Sequence, residues 1–170
     1  LALFALPTAL AHRPAPAART TPAQLLARIN ASAGVGYSGY AESTGGVSLP
    51  VTSQFTSVAN LFGDRTQLRV WWRSGSAWRV DSVAVTGEND VHQVGETTST
   101  FDYERNRATV TTQSVPPPVR LPVSADVLPS ELGRRLLSEA IPAQVAPIAS
   151  ARVANRAALG LRLRPQEPQT

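Results

Sequence analysis

The chain has no cysteine and no methionine among its 170 residues. Without cysteine there is no disulfide, no thiolate zinc ligand and no sulfur nucleophile. There is also no thiol to carry the lipid anchor of a bacterial lipoprotein. Lysine is absent too, so all 16 basic residues are arginine. Histidine occurs twice, as His12 and His92, too few for the three or four ligands of a histidine zinc site. Charge is sparse, at 16% of residues, and the arginines are scattered along the whole length for a net charge of +4. A nucleic-acid-binding chain concentrates its positive charge on one element. Arginine beside many Ala, Val and Pro instead reflects coding from a GC-rich genome, and nucleic acid is not an expected partner.

What is present suits a folded domain. Hydrophobic residues make up 42% of the chain, enough for a core and too many for a disordered segment. The first ten residues are apolar and small, but a bilayer span needs about 20 apolar residues. They read as the end of a signal-peptide core, with Ala9-Leu10-Ala11 matching the small-x-small cleavage pattern. A Pro/Ala linker follows over residues 12–17. The lower half of a membrane anchor is the alternative, and both readings place the domain outside the cytoplasm. Lacking an initiator Met, the chain reads as a processed or truncated product. Residues 1–20 are therefore set apart from one domain over residues 21–170.

The pattern along that domain mixes helix and strand. Thr21 can cap a helix, Pro22 suits its first position and Gln24 completes a capping box. Leu25, Leu26 and Ile29 form its apolar stripe, and Gly34 and Gly36 end it. A strand is expected over residues 37–43, and residues 54–62 read as a short helix or a loop. Leu68, Val70 and Trp72 alternate with Arg69, Trp71 and Arg73. After the turn at Ser74-Gly75-Ser76, Trp78 and Val80 alternate with Arg79 and Asp81. This is a hairpin with one apolar and one charged face. Short strands follow over residues 91–94, 100–104 and 107–112, with Phe101 and Tyr103 on a common face and a tight turn at Arg105-Asn106. The Pro-rich run from Val115 to Pro118 ends this meander. A helix over residues 130–140 carries Leu132, Leu136 and Leu137, and two more strands flank Asn155.

Three motifs invite a catalytic reading and fail its context. Gly34-Val35-Gly36-Tyr37-Ser38-Gly39 matches G-x-G-x-x-G, but a helix precedes it and a strand follows, the reverse of a dinucleotide site. Ser38 lacks the second glycine of a nucleophile elbow, because Tyr40 stands there. His92 shares a strand face with Asp90, a pair that surface strands carry by chance. The spacing of Glu88, Asp90 and Glu96 fits a solvated loop. No enzyme, metal or cofactor is expected. The hairpin aromatics carry more information: Leu68, Val70, Trp72, Trp78 and Val80, with Phe101 and Tyr103, form either a core face or a wall that accepts apolar ligand. Trp71 lies opposite, where it can stack on arginine.

The run from Gln67 to Arg73, then Trp78-Arg79-Val80-Asp81, Asp102-Tyr103 and Arg107-Ala108-Thr109-Val110, resembles actinobacterial members of the LolA-like superfamily, including the MucB/RseB N-terminal domain. Gly36-Tyr37-Ser38-Gly39-Tyr40 and Arg134-Arg135-Leu136-Leu137 fit the same pattern, whereas Phe101 stands where a tryptophan is expected. The resemblance implies an α+β fold: a curved antiparallel sheet, an unclosed half-barrel, with helices covering its concave face, here C-terminally incomplete. It also implies acyl chains of lipids or lipoproteins as ligand. In the regulatory branch of the superfamily the partner is a membrane-bound anti-sigma factor.

Overall fold

A computed structural model describes residues 20–44, 65–84, 87–114 and 122–165. The readings of residues 1–17, 54–62 and 115–118 lie outside the described residues. The chain divides into two compact units, Ser32–Gly133 and Leu1–Ala31 with Arg134–Thr170.

The larger unit is built on a six-stranded antiparallel meander in the order β1-β2-β3-β4-β5-β6. Its strands are β1 (Tyr37–Ser43), β2 (Thr66–Ser74), β3 (Ala77–Ala84), β4 (Gly87–Val94), β5 (Thr97–Asp102) and β6 (Arg107–Thr112). β1 and β6 are not paired with each other, so the sheet is open. From β2 to β6 short connections set the register, as expected for consecutive antiparallel strands. Gly95, at φ +58°, takes a left-handed position between β4 and β5. Asn106, at φ +46°, does so before β6, where the Asp102 carboxylate accepts from the Arg105 amide.

Alternation along β2 and β3 sorts the side chains onto two faces. Leu68, Val70, Trp72, Trp78 and Val80 are all buried and form one cluster. What covers them is a 3-10 turn, Ser124–Val127, followed by Leu128. Ala125, Val127 and Leu128 pack into the cluster, with Ala41, Val91 and Val123 at its margin. The turn is held by Asp126, whose carboxylate accepts from the Val123 amide at 2.8 Å.

The smaller unit joins α1 (Pro22–Asn30), the end of α2 (Pro129–Leu137) and a hairpin of β7 (Val145–Val153) and β8 (Arg156–Leu163). Thr21 and Gln24 form the expected capping box at α1, with Gln24 N to Thr21 Oγ1 at 3.2 Å and Thr21 N to Gln24 Oε1 at 3.0 Å. α1 then tightens into a 3-10 turn, Ala31–Gly34. Leu26, Leu137 and Val145 make the core here, with Ile29, Ala140, Leu161 and Leu163 against them.

The helix stripes are only partly buried. Leu26 and Ile29 of α1 pack with residues of β7 and β8. Leu132 and Leu136 are exposed, at 40% and 67%, so the α2 stripe reduces to Leu137. Periodicity located both helices but could not say which surface their stripes meet. Among the described residues no helix is long and apolar enough to cross a membrane.

Candidate functional site

Of the residues proposed as an apolar ligand wall, five share one face: Leu68, Val70, Trp72, Trp78 and Val80. They are 0–7% exposed, so this wall is already filled by the chain's own residues. Tyr37 stacks on Trp72 with ring centroids 6.3 Å apart, and its hydroxyl lies 2.6 Å from Ser130 Oγ.

Phe101 and Tyr103 are not part of that wall. Register places Asp90 opposite both Asp81 and Phe101, and Val91 opposite Val80. Phe101 therefore shares a face with the acids and not with Val80. It meets Tyr103 edge to face at 4.5 Å, and the Tyr103 hydroxyl donates to Asp90 Oδ2 at 3.4 Å. The two aromatics do lie together, as their spacing predicts, but on the polar face.

That face carries the chain's densest charge arrangement among the described residues. Arg79 donates from Nε to Asp81 Oδ1 at 2.6 Å and from Nη2 to Asp81 Oδ2 at 3.0 Å. The same Nη2 reaches Asp90 Oδ2 at 2.8 Å. Arg69 Nη2 contacts Glu88 Oε2 at 3.4 Å. The Trp71 ring lies 5.2 Å from the Arg79 guanidinium, the expected cation–π stack. Asp81 is 1% exposed and Asp90 9%.

Carboxylate oxygens of Asp81, Glu88 and Asp90 lie within 4.8 Å of one another, close enough to share a cation. Arg79 already supplies positive charge to two of them, so the donor set by itself does not call for a metal ion. Burial pushes the Asp90 carboxyl up to about 6, helped by the neighbouring Asp81 charge and opposed by Arg79. The Asp90 charge in turn raises the Tyr103 hydroxyl above its ordinary value.

Glu88 and Asp90 thus belong to a strand and to a charge cluster, whereas Glu96 alone sits in an exposed turn. The reading of all three as a solvated loop holds only for Glu96. The missed signal is the pair of i, i+2 repeats, Arg79/Asp81 and Glu88/Asp90, each fixing two charges to one side of a strand. Bringing the repeats together required the β3–β4 register. His92 is exposed, and the hydrogen bonds to Asp90 come from Arg79 and Tyr103.

The chain matches no protein-family model, no curated protein and no solved structure.

Proposed function

We propose that this chain is an extracytoplasmic, non-enzymatic interaction module, closer to the regulatory branch of the LolA-like resemblance than to a lipid-storing carrier. One observation carries this choice. The apolar sheet face is filled by Ala125, Val127 and Leu128, with Leu68, Val80 and Leu128 at 0–1% exposure. An apolar sheet face is covered either by its own chain or by ligand, and here its own chain supplies the cover. In this reading the partner is a segment of a membrane-bound protein, of the anti-sigma-factor kind, and it docks on outer surfaces.

The carrier reading, the leading expectation from the sequence, becomes the second. It is supported by the same face if the Ser124–Leu128 segment gives way to an acyl chain, each buried methylene contributing about 0.8 kcal/mol. Solvent extraction and mass spectrometry of the exported protein, purified from its native envelope without detergent or denaturant, separates the two. The regulatory reading expects a folded protein free of lipid. One lipid per chain overturns it in favour of the carrier.

A further inference from the structure

The polar face poses a question that neither reading uses: why two aspartates oppose each other across a buried ladder position. Asp81 and Asp90 are direct partners in the β3–β4 register. Like charges at such positions repel, and both are at least nine-tenths buried. The groups around Asp90 are few among the described residues. β3 brings Arg79 and Asp81, β4 brings Glu88 with exposed His92 beyond, the end of β5 brings Tyr103, and β2 brings Arg69 against Glu88. The three carboxylates thus face two guanidinium groups, which leaves one negative charge unmatched.

The hydrogen bonds are just as uneven. Both Asp81 oxygens are engaged by Arg79. Asp90 Oδ2 takes the second contact of Arg79 Nη2, while its Oδ1 is buried and accepts from nothing. The Tyr103 hydroxyl reaches Asp90 only at 3.4 Å, long for an O–H donor, whose usual distance is about 2.7 Å.

We propose that Asp90 is a proton-operated switch: protonated, it donates to Asp81 and closes the acid pair; ionised, it turns from Asp81 toward the hydroxyl of Tyr103. A proton removes the unmatched charge and converts an acceptor into the donor that the pair lacks. Its loss restores repulsion from Asp81 and Glu88 and makes Asp90 a stronger acceptor for Tyr103. Tyr103 packs on Phe101 and its amide donates to Glu88 O at 3.1 Å, so the movement is relayed to the end of the β4–β5 ladder.

The test is a carbon-detected NMR titration of the full chain from pH 4 to 8. It follows the Asp90 carboxyl and the Tyr103 ring carbon bearing the hydroxyl, both assigned in the wild-type chain by through-bond correlation to their own backbone amides. The switch predicts one common midpoint near 6 for both signals. It also predicts that Tyr103→Phe, which deletes the donor to the ionised form, moves the Asp90 midpoint upward. An Asp90 midpoint at the ordinary carboxylate value overturns the proposal, as does a Tyr103 signal that stays still while Asp90 titrates. The wild-type titration decides between these outcomes even if a variant fails to fold.

Discussion

The Arg79 guanidinium clamps Asp81, two residues further along the same strand, through Nε at 2.6 Å and Nη2 at 3.0 Å. The Asp81 side chain is 1% exposed, that of Arg79 44%. The pair therefore keeps a buried carboxylate matched to a charge that still touches water. Removing one partner of a buried pair strands the other. Arg79→Ala is expected to destabilise the larger unit by about 3 kcal/mol, read as a lower midpoint in urea unfolding. Replacing Arg79 and Asp81 together by apolar residues should cost less than the Arg79 change alone.

The contribution of Asp90 to stability should fall as pH rises from about 4 to about 6. The Asp90 carboxyl ionises in the folded chain only near 6, above its ordinary value of 3.8. The folded state thus binds more protons than the unfolded state in that window. The contribution is full below the ordinary value and is lost as pH passes the folded one. Urea unfolding at several pH values checks this, and Asp90→Asn should flatten the slope between pH 4 and 6.

A buried and an exposed leucine should respond differently to truncation. Leu68→Ala removes a side chain 1% exposed in the sheet core, and such changes cost about 2–5 kcal/mol. Leu136→Ala removes one that is 67% exposed, and surface changes stay within about 0.5 kcal/mol. Had α2 covered a core with its whole stripe, both variants would be costly, so thermal melts of the pair test where the core lies.

The β7–β8 turn holds a correctable strain. Ala154 and Asn155 both have positive φ, at +48° and +62°, which a two-residue hairpin turn of this hand requires. Asparagine tolerates that region, whereas alanine places Cβ against the following carbonyl at about 1 kcal/mol. Ala154→Gly should stabilise the hairpin by up to about 1 kcal/mol, seen as a raised melting temperature.

Local chemistry already written in the chain determined much of this protein. The capping box of Thr21 and Gln24, the alternation from Leu68 to Val80 and the turn at Ser74-Gly75-Ser76 each depend on residues close in sequence, and each appears as read. Antiparallel pairing from β2 to β6 also follows from short connections. Tertiary structure decided what lies across space. It put Ala125, Val127 and Leu128 on the apolar face of the sheet, because an apolar pattern specifies burial but not its partner. It turned Phe101 and Tyr103 to the polar face, because a period of two fixes alternation within a strand while only register fixes which side faces the core. It joined Arg79, Asp81, Glu88 and Asp90 into one cluster, because their charges meet only when β3 and β4 are aligned.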